Sequence, residues 1–260
     1  MPFGLLDILL ALPAYALVLF RLSGLMVTAP LYGSAAIPVR IRAAFIIVLA
    51  AMMLPALGRQ TPAELTVAGA LAGGVGEFLV GAAIGLSLSI VMMVAQVAGT
   101  LIGQQGGFAL SEVINPLQDN ESTVLDQIYT VVLMLVFLGA GGDRASLAAL
   151  LDTYQAVPML SYQAGGPPLL LLVEMLSASF VVGIRVAGPV VIALFLTEAA
   201  LGLVSRTVPQ LNILSVGFTI RTFMVLFVAA LTLPACEGVL LEAVWDGLDM
   251  IRAAFGLPPA

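Results

Sequence analysis

The stretch AGALAGGVGEFLVGAAIGLSLS, residues 68–89, contains one charged residue, Glu77, among apolar and small side chains. Its glycines recur at four-residue spacing, as in Gly69/Gly73 and Gly81/Gly85. Residues four apart lie on one face of a helix, and small residues at that spacing let helix backbones approach closely. The stretch therefore predicts a long apolar helix that packs tightly against another helix.

The rest of the chain has the same character. Of 260 residues, 61% are hydrophobic and 9% are charged, and the mean hydropathy is +1.15. Soluble domains carry about 25% charged residues, so a soluble globule is excluded. Within a bilayer every backbone polar group must be satisfied internally, by helices or by a closed barrel. Strict alternation of apolar and polar residues is absent, and we therefore expect an all-α membrane protein.

Long apolar regions recur along the chain. They are residues 8–30, 43–57, 65–103, 124–141, 169–205 and 213–245. A spanning helix needs about 20 residues, so the second region is short, and the third and fifth are too long for one span. Charged residues interrupt most of them, and a charge at the bilayer centre costs at least ~2.5 kcal/mol. We therefore expect helices that pack mainly against protein or line water, rather than six independent spans.

Prolines are expected to bend or end these helices, because proline removes an intrahelical hydrogen bond. The relevant positions are Pro30, Pro38, Pro55, Pro189, Pro209 and Pro234. Beyond the last of them, Glu242, Asp246 and Asp249 recur on one stripe, which predicts an amphipathic helix with an acidic face. Such a face meets either water or a partner.

Residue counts exclude several kinds of chemistry. Cys236 is the one cysteine, so the chain forms no internal disulfide, and the sequence contains no histidine. A Ser-His-Asp triad and an HExxH zinc site are therefore excluded. We expect no enzymatic activity, no metal, no cofactor and no nucleic-acid partner. The first residues lack the pattern of a cleaved signal peptide, and arginines divide evenly between alternate loops, which leaves the orientation open.

Several short motifs recur in a fixed order along the chain. They are Arg21-Leu-Ser-Gly24, Pro30-Leu-Tyr-Gly33 and Ile37-Pro38-Val-Arg40; then Gly76-Glu77 with Gly81 and Ile84-Gly85; then Gly99, Gly103-Gln-Gln105-Gly106 and Asn115-Pro116; and finally Pro209-Gln210-Leu211-Asn212-Ile213, Val216-Gly217 and Arg221. In this order and spacing, over about residues 10–230, they resemble the FliR family, the R-type subunit of the flagellar export gate. Asn115 departs from the acidic residue that is common there in the family.

The resemblance implies a fold and a set of partners. It implies bent helical hairpins in a single membrane subunit, with a P-type-like part over about residues 1–165 and a Q-type-like part over about 166–260. P-type and Q-type subunits, a membrane-bound switch protein, exported flagellar polypeptides and membrane lipid are the implied partners. The implied location is the inner membrane at the flagellar basal body. Energy is supplied elsewhere in the apparatus, so the subunit itself is no enzyme.

The resemblance also gives a role to residues 104–122, QQGGFALSEVINPLQDNES, as the plug of the export conduit. The implied plug residues are Gln105, Gly106, Gly107, Phe108, Leu110, Val113, Ile114, Asn115 and Pro116. Their types suit a plug, because the glycines allow unusual backbone conformations and the apolar side chains can close a narrow throat by excluding water. Proline ends the local turn. The alternative is an ordinary surface loop.

Charged residues within the apolar regions are interpreted as buried or interfacial charges between subunits. They are Arg21, Arg40, Glu77, Arg185, Glu198 and Arg221. A guanidinium can bond several carbonyls or pair with a carboxylate at two points, but the sequence does not assign the pairs. The residues Pro209, Gln210 and Asn212 are interpreted as a structural turn that contacts partners.

Other functions remain open at this stage. A secondary transporter also has broken helices with charges near the membrane centre, although no second copy of the 76–116 pattern is found. The equivalent subunit of a virulence type III secretion system is a close alternative. An intramembrane protease is disfavoured by the lack of histidine and of a paired aspartate, and a structural scaffold would differ only in having no closed pore.

Overall fold

The computed structural model describes residues 5–34, 37–57, 67–108, 123–161, 168–207 and 213–259. Within these ranges the chain forms helices joined by turns, without a strand. The helices are α1 (Leu5–Thr28), α2 (Val39–Leu57), α3 (Val67–Gln105), α4 (Val124–Gly139), α5 (Gly142–Ala156), α6 (Pro168–Thr207) and α7 (Ile213–Ala254). The all-α prediction is confirmed.

Three helices are long and apolar enough to cross a membrane. Their apolar spans are Gly73–Gln105 of α3, Leu170–Thr207 of α6 and Val216–Ala254 of α7. The bent pair α4 and α5 adds a fourth span if it is counted as one, whereas Leu12–Thr28 of α1 forms a shorter apolar helix. The chain is therefore an all-α membrane protein, with fewer full-length spans than apolar regions.

Helix α5 is absent from the regions predicted by hydropathy. The fourth apolar region was expected to end near residue 141, but a second helix begins at Gly142 and is bent by 64° from α4. Gly141 adopts a φ of +74° at the break, a conformation that glycine adopts without steric cost. Because α5 begins with Asp143 and Arg144 and is half polar, an apolar-run criterion misses it.

Three helices contain a proline at which a bend or an end was expected. Pro55 lies two residues before the end of α2, whereas Pro189 lies well inside α6 and Pro234 well inside α7, so the last two do not end their helices. In membrane helices, neighbouring helices and hydroxyl side chains can satisfy the backbone groups that a proline frees. At the other end of the chain the rule holds, since Pro30 follows the end of α1 and Pro38 precedes α2.

The chain divides into two compact units. Unit 1 consists of Met1–Val91, Gly141–Leu176 and Trp245–Ala260, and unit 2 of Met92–Ala140 and Ser177–Val244. This division follows spatial contacts within the chain. It does not test the expected division near residue 165 into a P-type-like and a Q-type-like part, which stays a prediction.

Within unit 1, α1 and α3 meet along glycines. A Cβ on Gly24 would lie 2.7 Å from the backbone nitrogen of Ala82, and one on Gly81 would meet the backbone oxygen of Arg21. Thr28 Oγ1, on α1, donates to the backbone oxygen of Ala82, on α3 (3.2 Å). The backbones therefore approach too closely for any side chain at these glycines, as the small-residue spacing predicted.

Candidate functional site

The most completely buried charges in the described part of the chain form one ion pair in unit 1. Nε of Arg21, on α1, lies 2.6 Å from Oε2 of Glu77, on α3. The two side chains are 0% and 1% exposed. A buried pair is stable only if further hydrogen bonds satisfy its remaining polar atoms, so the surroundings decide what the pair does.

The guanidinium of Arg21 is held on three further sides. NH1 donates to Thr153 Oγ1 (3.3 Å) and NH2 donates to the backbone oxygen of Val157 (3.0 Å). The guanidinium carbon also lies 3.9 Å from the centre of the Tyr154 ring, a favourable cation–π geometry. These partners belong to the last turn of α5 and its cap, where the helix dipole favours a positive charge. Arg21 therefore fixes the end of α5 onto α1.

The carboxylate of Glu77 has a second partner on the chain that follows α5. The backbone N–H of Leu160 donates to Oε1 of Glu77 (2.9 Å). Among the described non-glycine residues, Leu160 alone has a positive φ, of 68°, a conformation that costs such a residue about 1–2 kcal/mol. Both oxygens of Glu77 are thus engaged, and the turn after α5 is held in a strained conformation by the buried charge.

The expected plug segment begins at a well-defined end of α3. Backbone N–H groups of Gly106, Gly107 and Phe108 donate to the oxygens of Ile102 (2.8 Å), Gln104 (3.2 Å) and Gly103 (3.0 Å). The last two bonds, with Gly107 at a φ of +84°, form a Schellman motif, a common end of helices at glycine. Gln105 is exposed just before this turn. Residues 104–108 therefore end α3 in one defined turn.

This end of α3 packs on the first turns of α7, within unit 2. A Cβ on Gly106 would lie 2.7 Å from Cγ2 of Val225, and one on Gly107 would lie 3.4 Å from Cε2 of Phe218. The glycines of the predicted plug thus serve two different purposes. Gly106 permits close packing on α7, and Gly107 permits the turn itself.

The chain returns to α3 at the start of α4. A Cβ on Gly103 would lie 2.6 Å from Thr123 Oγ1, and one on Gly99 would lie 2.6 Å from the backbone nitrogen of Asp126. Thr123 is the N-cap of α4 and accepts a hydrogen bond from the N–H of Asp126 (3.2 Å). Phe108 and Thr123, the described residues on either side of 109–122, therefore lie at the same end of α3.

Two more of the predicted charges form a pair in unit 2. NH2 of Arg221, on α7, lies 2.9 Å from Oε1 of Glu198, on α6, and the side chains are 34% and 39% exposed. Nε of Arg221 is shielded from solvent without a hydrogen-bond partner among the described atoms. This pair is therefore less enclosed and less satisfied than that of Arg21 and Glu77.

The remaining predicted site residues are either exposed or not described. Arg40 and Arg185 are exposed on the single chain. Residues outside the described ranges are Leu110, Val113, Ile114, Asn115, Pro116, Pro209, Gln210 and Asn212. The interfacial role of every one of these charges, and the roles of the plug and turn residues, stay predictions. Within the described ranges, no group of three or more potential metal ligands occurs.

Sequence reasoning missed the partners of these charges. Thr153, Tyr154 and Leu160 surround the Arg21 pair, and Phe218 and Val225 support the end of α3. A helical pattern of small and hydroxyl residues over 146–153 could have pointed to α5 as a packed helix. Nothing in the sequence marks Leu160, because its role is carried by its backbone.

Comparison of the sequence with known proteins identifies a family of similar chains. The sequence model described as "Bacterial export proteins, family 1" matches residues 12–246. The Flagellar biosynthetic protein FliR of Bacillus subtilis (strain 168) is 28% identical over 235 residues, which are 89% of each chain. FliR of Escherichia coli (strain K12) is 28% identical over 86% of this chain and 87% of its own.

A relative with a different name matches a shorter part. The "Surface presentation of antigens protein SpaR" of Shigella sonnei is 31% identical over 152 residues, 58% of this chain and 59% of its own. The family match extends over α3, α4 and both ion pairs, and the FliR relatives match along most of their length. The chain therefore belongs to the FliR family of bacterial export proteins.

Proposed function

We propose that the chain is the R-type subunit of the flagellar type III export gate, in the bacterial inner membrane at the flagellar basal body. In this role it joins P-type and Q-type subunits around a conduit for unfolded flagellar polypeptides and contacts the membrane-bound switch protein. It performs no catalysis itself. The family match over residues 12–246 is the observation that carries the proposal.

The segment 104–122 is proposed to plug this conduit. Its support is the geometry at its two ends, where the Schellman turn at Gly107 and the N-cap Thr123 lie against the same end of α3. The described residues on either side of 109–122 therefore lie together at this helix end. Apolar side chains such as Phe108 suit a throat that is closed by excluding water.

Exposed apolar surface supports assembly with other subunits. On α6 and α7 large side chains such as Phe195, Leu203 and Phe223 are 69%, 66% and 64% exposed in the single chain. Such area must be covered by lipid or by protein, and α6 also exposes Glu174 and Arg185. Charged side chains within an apolar helix favour protein or water over hydrocarbon, so we expect neighbouring subunits on at least part of this surface.

Deletion of residues 106–116 tests the plug. A cell that carries the assembled gate with this deletion should leak ions across its inner membrane, measured as loss of membrane potential or entry of a small dye. A length-matched variant, in which residues 109–114 become alternating Gly and Ser, should leak as well, because it removes the apolar side chains. Tight membranes with both variants, at normal protein levels, would contradict the plug.

Purification tests the assembly. The chain should be unstable alone in detergent and should co-purify with P-type and Q-type subunits from its own host. A stable monomer that binds a small metabolite would instead favour a secondary transporter. The similarity to SpaR supports a second candidate function, that of the equivalent subunit of a virulence secretion system. Loss of motility on deletion of the gene, with virulence secretion intact, would decide for the flagellar gate.

A further inference from the structure

An apolar pocket lies in unit 1, where the turn after α1 meets the start of α2. Its volume is about 320 Å³, near the lower end of the range for ligand pockets, about 300–1,000 Å³. The lining residues are Met26, Leu31, Tyr32, Ile37, Ile41, Arg42 and Phe45. The rings of Tyr32 and Phe45 stack at 6.5 Å and form one wall. Nearly all of this lining is hydrocarbon, with one cationic side chain.

The cation in this lining, Arg42, lacks a counter-ion among the described residues. NH2 of Arg42 donates to the backbone oxygen of Ser34 (2.8 Å), and its Nε is shielded from solvent without a hydrogen-bond partner there. The ion pairs found in the described part of the chain do not include it. A shielded donor without a partner is unfavourable, and more so when it is charged. An anion bound beside Arg42 would therefore supply the missing hydrogen-bond acceptor and counter-ion.

The other polar side-chain group in the lining is the hydroxyl of Tyr32. Tyr32 donates its hydroxyl to the backbone oxygen of Asp143 (3.3 Å). Burial raises the pKa of Tyr32, and the charge of Asp143 adds to the rise, so the phenol remains a neutral donor. Arg40, two residues before Arg42, is exposed. Residues two apart lie on different faces of a helix, so Arg42 alone supplies the positive charge of this lining.

Beyond the pocket, α2 offers an apolar track. Residues 43–57 carry no charge, and Phe45, Val48 and Met52 are 44%, 56% and 69% exposed. A molecule that fits the whole surface therefore has an anionic head at Arg42 and a long hydrocarbon tail. Arginine binds phosphate oxygens at two points, and basic pockets beside membrane helices are known to take anionic lipid head groups.

We propose that this pocket binds one anionic phospholipid, with its phosphate on Arg42 and an acyl chain along the pocket and the exposed face of α2. The proposal is independent of the plug and of the identity of the export system. It assigns the exposed face of α2 to lipid rather than to a partner polypeptide.

Lipid retention by the full chain tests the proposal. The chain is extracted from membranes in a non-ionic detergent, together with any subunits that co-purify, and is mixed with phosphatidylglycerol or with phosphatidylcholine of the same acyl chains. Native mass spectrometry should show one phosphatidylglycerol retained, in preference to phosphatidylcholine. Arg42→Gln should lower this retention about tenfold, since a charge-assisted hydrogen bond contributes roughly 1.5–3 kcal/mol.

Matched variants distinguish three effects on lipid retention: loss of the contact between Arg42 and the lipid phosphate, loss of the apolar pocket for the acyl chain, and general loss of positive charge. Arg206→Gln removes an exposed arginine of α6 and should retain lipid like the unaltered chain. Arg42→Lys keeps the charge but loses the two-point contact, and should fall between the two. Ile37→Trp fills the pocket without altering the arginines, and should also lower retention. If Arg42→Gln does not accumulate, Arg42→Lys and Ile37→Trp still provide the test.

Three outcomes would overturn the proposal. One is equal retention of the two lipids, or retention that Arg42→Gln does not change. A second is a rise in melting temperature with inorganic phosphate that equals the rise with phosphatidylglycerol, which would indicate a free-anion site. A third is crosslinking from position 31 to a co-purified subunit, without bound lipid, which would show that a polypeptide occupies the pocket.

Discussion

The described part of the chain contains two arginine–glutamate pairs between helices, and they differ in how completely they are enclosed. In unit 1, Arg21 and Glu77 are buried, and both carboxylate oxygens and three guanidinium nitrogens have partners. In unit 2, the side chains of Arg221 and Glu198 are more than one third exposed, and Nε of Arg221 has no partner among the described residues.

This difference separates a pair that is completed within one polypeptide from a pair that is left partly open, and an interfacial role for the open pair stays a prediction. The Arg21 pair is complete within one polypeptide and joins α1, α3 and the end of α5. Both carboxylate oxygens of Glu77 already have partners within the chain, so no partner subunit is needed to pair them. The Arg221 pair, in contrast, has exposed surface and a donor that no described residue satisfies. The sequence predicted one class of charge for all of these residues, whereas the structure indicates two.

Removal of one partner of the buried pair is the most severe test of this contrast. Arg21→Met leaves the carboxylate of Glu77 buried without a counter-ion, and we expect a loss of about 3–5 kcal/mol in the free energy of unfolding. Glu77→Leu should cost a similar amount. The measurement is thermal unfolding in detergent, together with the steady-state level of the chain in membranes.

The double variant serves as the control for that experiment. Arg21→Met combined with Glu77→Leu leaves neither charge alone, so its loss should be smaller than the sum of the two single losses. Additive losses would mean that the two charges are not coupled. The buried pair would then be no more than two separate packing contacts.

Glycines provide a second comparison between the two units. Gly81, in unit 1, lies against the backbone of α1, whereas Gly188, in unit 2, has nothing within 4 Å of a built Cβ. Gly81→Val should overpack the α1–α3 contact and cost about 1–3 kcal/mol. Gly188→Ala should change the stability by no more than about 1 kcal/mol, because the gain in helix propensity is offset by the restriction that Pro189 places on the residue before it.

The same pair of variants can also reveal a covered surface. If Gly188→Ala folds normally but no longer co-purifies with other subunits, the open face of α6 lies against a partner. A large loss of stability in the isolated Gly188→Ala chain would contradict the contrast between the units. Protease resistance and melting temperature distinguish these outcomes.

Much of the fold was predictable from local patterns in the sequence. Apolar runs located six of the helices, because hydrocarbon-facing and protein-facing helices are both apolar. The glycine spacing around Gly81 indicated close helix contact, and the structure places that contact against α1. Helix α5 was missed, because its polar residues Asp143 and Arg144 resemble a loop and its packing depends on α1 and α3.

The candidate site was only partly predictable. Arg21 and Glu77 were recognised as unusual, because charge is costly in an apolar helix. Their pairing was not predictable, since the two residues are 56 positions apart and belong to different helices. The hydrogen bond from Leu160 to Glu77 comes from a backbone N–H, so no side-chain pattern in the sequence indicates it. The same holds for Phe218 and Val225, which look like ordinary apolar residues of α7.

The turn at the end of α3 allows a test of intermediate size. Gly107 has a φ of +84°, so Gly107→Ala should cost about 1–2 kcal/mol at this turn. Gly107→Asn should cost less, because asparagine tolerates the left-handed conformation. If the proposed plug depends on the direction of this turn, ion leakage should rank Ala above Asn and Asn above the unaltered chain. Equal leakage from all three proteins would mean that closure of the conduit does not depend on the conformation of this turn.

The exposed pair should give the smallest effect in the isolated chain. Glu198→Gln removes a partly exposed ion pair with Arg221, and pairs of this kind contribute about 0.2–1 kcal/mol, less at high salt. Melting temperatures at low and high salt should therefore differ little between this variant and the unaltered chain. In the complex with co-purified subunits, the same substitution should cost more, because a covering subunit removes the solvent that screens the charges. A large loss of stability in the isolated chain, or an equal loss in the isolated chain and in the complex, would mean that Arg221 and Glu198 act like the buried pair. The distinction between the two pairs would then be wrong.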